Sequence, residues 1–343
     1  MTDITIRGAG IFGLSIAWAC VQRGATVQII DPNGAGAGSS GGLVGALAPH
    51  VPENWNAKKA FQLESLLLAE QFWKEISTVG GKDAGYARTG RLQSIADDSA
   101  RALAQRRIET ARQLWQDNAV WEIIPTLNTD WQPISPDGHL IHDTLSGHMH
   151  PRRACDALVA ALEAIGISIQ SQGSNRGVVL WATGAAGLEE LSAGHTRSMG
   201  NGVKGQAALL KYDASGLPQL FSNGVHVVPH LDGTVAIGST TEREYENATS
   251  TDAQLDDVIA VARKAIPILQ DAPVIERWAG VRPRSRTRAP MLGAWPDRSG
   301  HFIANGGFKI GFGMAPKIAQ VMADLILDGA DTIPDGFRVE DNL

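Results

Sequence analysis

The chain has 343 residues, enough for about two domains. Its 43% hydrophobic and 19% charged content supports a large core and excludes a disordered chain. No apolar run reaches the ~20 residues a membrane helix needs, two cysteines cannot frame a disulfide scaffold, and a net charge of −6 disfavours a nucleic-acid partner.

In chain order, Ile4–Arg7 alternates as a short strand, and Gly8-Ala9-Gly10-Ile11-Phe12-Gly13 follows as G-x-G-x-x-G. An apolar stretch of helical character, Leu14–Val21, runs to Gly24, and Ala25–Ile30 reads as a second strand ending at Asp31. This strand–turn–helix–strand order predicts a dinucleotide site. Gly8 permits the tight turn, Gly10 lets backbone approach a pyrophosphate, and Gly13 lets helix and strand pack closely. The helix N-terminus then faces the phosphates. Asp31 is positioned to accept from ribose hydroxyls, which disfavours NADP. The motif alone does not separate FAD from NAD.

Residues 34–49 are rich in Gly, Ala and Ser, as a linker or a ligand-hugging loop would be. Helices are predicted over 57–79, 98–118, 151–165, 252–266 and 315–328, the last ending at Gly329. Residues 119–150 read as strands and loops, 178–184 as a buried strand ending in a Thr183-Gly184 turn, and 203–243 as antiparallel strands. No internal repeat is present. The change from parallel α/β to antiparallel and back predicts two interleaved domains.

The C-terminal third carries Gly280-Val281-Arg282-Pro283, then Pro290-Met291-Leu292-Gly293, then Gly306-Gly307-Phe308-Lys309-Ile310-Gly311-Phe312-Gly313 before the last helix. With Gly8–Gly13 and Gly41-Gly42…Ala48-Pro49, these motifs make the chain similar to the D-amino-acid oxidase superfamily, in its glycine oxidase and sarcosine oxidase-like branch. The resemblance covers essentially the whole chain. It implies an α/β fold, a Rossmann-like FAD domain interleaved with an α+β substrate domain on an antiparallel sheet. Residues 1–50, 146–204 and 276–343 would form the first domain, and 51–145 and 205–275 the second. It also implies an FAD-dependent enzyme that oxidises a C–N bond of a small amine or amino acid, such as glycine, sarcosine or a D-amino acid, by hydride transfer to flavin N5.

In that reading Ser39, Ser40, Gly41, Gly42 and Val44 lie along the pyrophosphate and flavin. Thr183 and Gly184 form a turn close to the cofactor. Gly307, Lys309, Ile310, Gly311, Phe312 and Gly313 lie near the isoalloxazine, where the last helix's dipole favours negative charge. Arg282 matches the family arginine that binds a substrate carboxylate. Lys309 stands where a second arginine often does, so the clamp departs from the family pattern. His50 and His230 are further candidates for the flavin pocket and the substrate face. Since no cysteine follows Cys155, FAD is expected to be non-covalent. His139, His142, His148 and His150 lack the spacing of a metal motif, and no metal is expected. Arg282, Arg284, Arg286 and Arg288 alternate and, if extended, point to one side. They then form either a solvated loop or a positive rim for an anionic substrate.

Stretches such as Gly147-His148-Met149-His150-Pro151 and Arg288–Gly293 with Pro296-Asp297 also resemble the FAD domain of a bifunctional tRNA enzyme acting on a carboxymethylaminomethyl group of a wobble uridine. That alternative keeps the chemistry and enlarges the substrate, and it makes tRNA a possible partner. The motifs also admit a non-catalytic flavin-binding protein. An NAD-linked dehydrogenase would share the N-terminal motif, but the C-terminal motifs disfavour it. With no secretory signal visible, a cytoplasmic location is expected.

Overall fold

The computed structural model describes residues 3–343. The α-helices among them are, in chain order, α1 Ile11–Gln22, α2 Ala57–Gly80, α3 Asp98–Trp115, α4 Pro151–Ala164, α5 Gly184–Ala193, α6 Ala253–Ala265 and α7 Gly311–Asp328. None is long and apolar enough to cross a membrane.

Helix α1 has no polar face: Ile11 to Trp18 are all buried. A helix apolar all round must be covered on every side, and α1 is enclosed by the first sheet together with α4 and α7. That sheet has six strands in the order Met291–Ala294, His301–Asn305, Val178–Trp181, Asp3–Arg7, Thr26–Ile30 and Ile169–Gln170. Asp3–Arg7 is flanked in parallel by Thr26–Ile30 and Val178–Trp181, and only Met291–Ala294 pairs antiparallel. The central strand is buried on both faces, which suits its Ile4-Thr5-Ile6 sequence.

The second sheet has eight strands in the order Val274–Ser285, Gly200–Lys211, Thr234–Gly238, Val225–Pro229, Gln219–Ser222, Arg91–Ser94, His139–Asp143 and Trp121–Pro125. Its pairs are antiparallel except Gln219–Ser222 with Arg91–Ser94. The apolar face of α6, with Leu255, Ile259 and Ala262, covers one side through a separate core containing Leu210, Leu220, Val227 and Ile237. The α/β fold class with an antiparallel second sheet is therefore as the sequence implies.

Four local features differ from the sequence reading. Thr183-Gly184 opens helix α5 rather than closing a loop, with Gly184 at φ +61°. Helix α7 begins at Gly311, earlier than 315, so that Gly311-Phe312-Gly313-Met314 forms its first turn. Val274–Ser285 is one continuous 12-residue strand. The expected divisions at 204/205 and 275/276 thus cut through the paired strands Gly200–Lys211 and Val274–Ser285, which run together from Gly200↔Ser285 to Leu210↔Val274.

In the larger sheet Arg91 and Asp143 face each other across paired strands, with Arg91 Nε 3.0 Å from Asp143 Oδ2. Both are buried, and Asp143 Oδ1 also accepts the Ser146 N–H at 2.8 Å. Removing one partner strands a charge in the interior, whereas replacing both does not. Asp143→Asn is expected to destabilise the protein by about 3–5 kcal/mol, and Arg91→Met with Asp143→Leu to recover most of that, as read by denaturant unfolding.

Candidate active site

Four segments that carry the glycine motifs touch one another around the start of α1. Gly8 adopts φ +107°, and a Cβ there would lie 2.3 Å from the Ala182 carbonyl oxygen. A Cβ on Gly13 would lie 1.9 Å from the Gly8 carbonyl oxygen. These contacts require glycine and bring the Ala182–Gly184 turn beside the start of α1. The Ser39–Gly42 segment closes over that helix start. Ser40 Oγ accepts the Ile11 N–H at 3.0 Å, and Gly10 would otherwise press a Cβ to 3.1 Å from Ser40 Oγ. Farther along, Gly42 packs on Trp278 and Val44 on Gly238, so the same loop spans from the first sheet to the second. At the fourth segment, a Cβ on Gly307 would lie 2.8 Å from the Phe12 ring, and Gly311 adjoins Ile11 and Phe12.

Asp31 accepts the Ala9 N–H at 2.8 Å through Oδ2 and the Asn33 N–H at 2.9 Å through Oδ1. The carboxylate therefore shapes the glycine turn itself. Each oxygen keeps a second lone pair for a ligand hydroxyl.

Helices α1, α5 and α7 all begin here, each without a side-chain bond from its own N-cap residue and without an acidic residue in its first turn, and of the first N–H groups of α1 that of Ile11 is taken by Ser40. By contrast α2, α3 and α6 are capped by Asn56, Asp97 and Asp252. Unfilled N–H groups and aligned positive dipole ends suit an anionic ligand. The residues present fit a dinucleotide: the glycine cradle that any Cβ would fill, the α1 N-terminus for a pyrophosphate, and the Ser39–Val44 and Gly307–Gly313 stretches for the ring system.

A second group of side chains is built around Arg282. It lies on the strand Val274–Ser285 opposite Val203 and is 8% exposed. Its neighbour on the next strand must be glycine, because a Cβ on Gly205 would lie 1.4 Å from Arg282 Nη2. Nη2 donates to Ser239 Oγ at 2.9 Å and to the Thr240 carbonyl at 3.2 Å, while Nη1, also buried, has no partner. Burial pushes the guanidinium down to about 10, partly offset by the Glu242 carboxylate, so it stays charged at neutral pH.

Lys309 Nζ donates to Thr241 Oγ1 at 2.8 Å, one residue from the Arg282 contacts. Its ammonium is open to solvent on one side. It is nevertheless pushed down to about 8, first by the desolvating bulk of the protein and then by the Arg282 charge. The Phe308 ring lies beneath both cations, 6.0 Å from Arg282 Cζ and 5.8 Å from Lys309 Nζ.

A buried network holds the Ser239–Thr241 turn that both cations share. Glu242 pairs with Lys204 at 3.2 Å and accepts from Gln206 at 3.0 Å and from the Thr240 hydroxyl. Gln206 also bonds Asp252, the cap of α6, in both directions. Gly205, Ser239, Thr240, Thr241 and Glu242 lie outside the motifs read from the sequence. The hydroxyl run Ser239-Thr240-Thr241 at the end of a strand is the signal that points to them.

The candidate histidines His50 and His230 bond to partners other than this pair of cations. His50 is tied to Gln62: its backbone N–H donates to Gln62 Oε1 at 2.7 Å and its Nδ1 contacts the same oxygen. Desolvation lowers its pKa, with the Gln62 bond opposing. His230 is wholly buried, its ring 4.4 Å from that of His150 and its Nδ1 3.1 Å from Thr234 Oγ1. Burial, then the neighbouring His150, push it down to about 3. Its partners are those of an interior histidine cluster, not of the Arg282–Lys309 group, so the expected substrate-facing position is not what the packing gives. The alternating arginines part company as well. The strand stops at Ser285 and Arg288 turns at φ +63°, so Arg282 points inward while Arg286 and Arg288 stay exposed. Among the described residues no group of three His, Cys, Asp or Glu side chains is placed to hold a metal ion.

Comparison with known proteins agrees with this architecture. The chain is 28% identical to glycine oxidase of Pseudomonas putida over 97% of its own length and 96% of that protein's. The crystal structure of glycine oxidase from Geobacillus kaustophilus superposes with a TM-score of 0.86 at 19% identity, covering 99% of each chain. Iminodiacetate oxidase from Chelativorans sp. BNC1 gives 0.85 at 22% identity, covering 98% of each. The profile of the DAO family, described as FAD dependent oxidoreductase, matches residues 3–325, and this chain belongs to that family of FAD-dependent oxidoreductases.

Proposed function

We propose that this enzyme oxidises the C–N bond of a small amine or amino acid that carries a carboxylate. The observation that carries the reading is the buried Arg282 Nη1, unpartnered and beside Lys309. An orphaned guanidinium N–H in the interior is costly unless a ligand completes it, and a carboxylate completes it in a charge-assisted bond. The names of the relatives, glycine oxidase and iminodiacetate oxidase, agree with such a substrate.

FAD, when bound, supplies the hydride acceptor. Residues 39–44, the α1 N-terminus and Gly307–Gly313 would hold it. Arg282 fixes the substrate by its carboxylate, which orients the adjacent C–H, and this positioning is the main contribution required of the protein. Phe308 limits water around the two cations. Lys309 Nζ, at about 8, is able to hold or release a proton near neutral pH, whereas Arg282 at about 10 keeps its charge. The decisive test is an anaerobic visible-absorption titration with glycine, sarcosine, proline and D-amino acids. Bleaching of the flavin by one of them is expected, and a flavin that none reduces would overturn the reading.

Cys20 and Cys155 are both buried, and burial pushes each thiol up to about 12. Neither is poised to attach a flavin, so denaturation followed by filtration should pass all yellow colour into the filtrate. Arg282→Ala should raise KM for the carboxylate substrate by the equivalent of about 2–5 kcal/mol, the cost of losing a desolvated charged partner, with FAD content unchanged. Because the Lys309 pKa is lowered, its charge is present below pH 8 and lost above it. Binding of acetate, a carboxylate without an amine, should therefore weaken as pH rises through about 8. A Lys309→Met variant should lack that limb in a fluorescence titration of the flavin.

A further inference from the structure

Beyond the strand end at Ser285 lies an open surface depression of about 540 Å³. Five arginines line it, Arg197, Arg243, Arg284, Arg286 and Arg288, and no aspartate or glutamate does. Arg197, Arg243, Arg284 and Arg288 make no ion pair among the described residues, although thirteen Lys or Arg ion pairs are formed elsewhere. Arg286 Nη2 donates to main-chain oxygens of Leu343 at 2.6 Å and Asp341 at 3.5 Å, and it bonds no Asp or Glu side chain among the described residues. This occurs in a chain whose net charge is −6.

Like charges gathered within a Debye length of ~8 Å repel one another. Arg284 registers that repulsion, its pKa lowered by burial and then by the charges of Arg288 and Arg243. The cluster is nevertheless fixed in place. Arg284 is stacked on Phe308, 5.5 Å from the ring centroid. Arg288 sits in a left-handed turn whose N–H donates to the Ser285 carbonyl at 3.1 Å, and the Arg286 N–H donates to the Met199 carbonyl at 2.9 Å. A solvated basic face would spread its charges and pair them with carboxylates. Here they converge on one concavity, with the Asn201 amide beside them.

We propose that this depression is a binding site for a ligand carrying two or more adjacent phosphate groups. One or two guanidiniums satisfy a single carboxylate, while five planar forks match the many oxygens of neighbouring phosphates. The site is separate from the glycine cradle, whose pyrophosphate position belongs to the α1 N-terminus. It adjoins the Arg282 group across the Phe308 ring, which Arg284 shares with Arg282 and Lys309, but the Arg282 guanidinium itself turns to Ser239 and Thr240 and does not line the depression. The proposal does not depend on which amine is oxidised. Free oligophosphate and the backbone of an RNA present the same chemistry, and the test separates them.

The test is calorimetric titration of the FAD-loaded protein, at fixed ionic strength, with pyrophosphate and separately with a short RNA stem-loop. The variants are Arg197→Ala with Arg243→Ala, and Arg197→Lys with Arg243→Lys. Neither residue is among those proposed to hold the substrate or the cofactor, so the visible spectrum reports intact folding. Saturable one-to-one binding of pyrophosphate is expected, weakened at least tenfold by the alanine pair and less by the lysine pair. If the stem-loop binds more tightly than pyrophosphate with the same dependence on the two arginines, the site is upheld and its phosphates are those of a nucleic acid. If neither probe binds, or if binding is the same in the alanine pair, the proposal is overturned.

Discussion

A positive charge has been carried into the protein interior at Arg282 with no carboxylate in direct contact. That single fact constrains much of what surrounds it. A buried guanidinium demands room, hydrogen-bond acceptors and some compensating field. Gly205 gives the room, Ser239 and Thr240 give the acceptors, and Glu242 gives the field from behind the turn. Glu242 in turn needs its own support, which Lys204, Gln206 and the α6 cap Asp252 provide. A chain of polar contacts therefore runs from the solvent-covered helix α6 to the reacting end of the site. It is satisfied at every member except Arg282 Nη1, and a polar network with one opening left is specific for whatever fills that opening.

The two ends of the site meet because the antiparallel sheet delivers Arg282 while the parallel sheet delivers the turn before α7. Phe308 links them: its N–H donates to the Pro283 carbonyl at 2.9 Å, and its ring lies under Arg282, Lys309 and Arg284. The Ser39–Val44 loop ties the same two sheets from the other side. The seam between the halves is thus lined by backbone-rich, glycine-rich segments, which is what a flat cofactor lying between two sheets requires.

Much of the cofactor end is legible in the sequence, because local spacing fixes it. Gly8, Gly10 and Gly13 leave little choice in how a strand enters a helix, and Asp31 follows at the end of the next strand. Helices α2 and α4 announce themselves by apolar periodicity and by Pro151 at a helix start. The substrate end is less legible because its partners come from distant strands. Nothing local to Gly205 tells that a guanidinium occupies its Cβ position, since that depends on pairing with Gly280 across the sheet. The glycines that open α5 and α7 read as loop punctuation, yet they lie inside the helices' first turns, Gly184 at φ +61°. His230 has the sequence setting of an inward-facing sheet residue, and it does face inward, but toward other histidines.

The interleaving also governs how the molecule is assembled in time. The central strand Asp3–Arg7 is among the first parts synthesised, whereas its sheet is completed by His301–Asn305 and its covering helix α7 arrives later still. Arg282 and Lys309 belong to that same late portion. During synthesis the apolar helix α1 therefore waits, without its final cover, until nearly the whole chain has emerged. Such long-range closure is slow and leaves an exposed sticky surface in the nascent chain. The fold that brings distant residues to one seam thus makes the newborn protein dependent on shielding until its last quarter is in place.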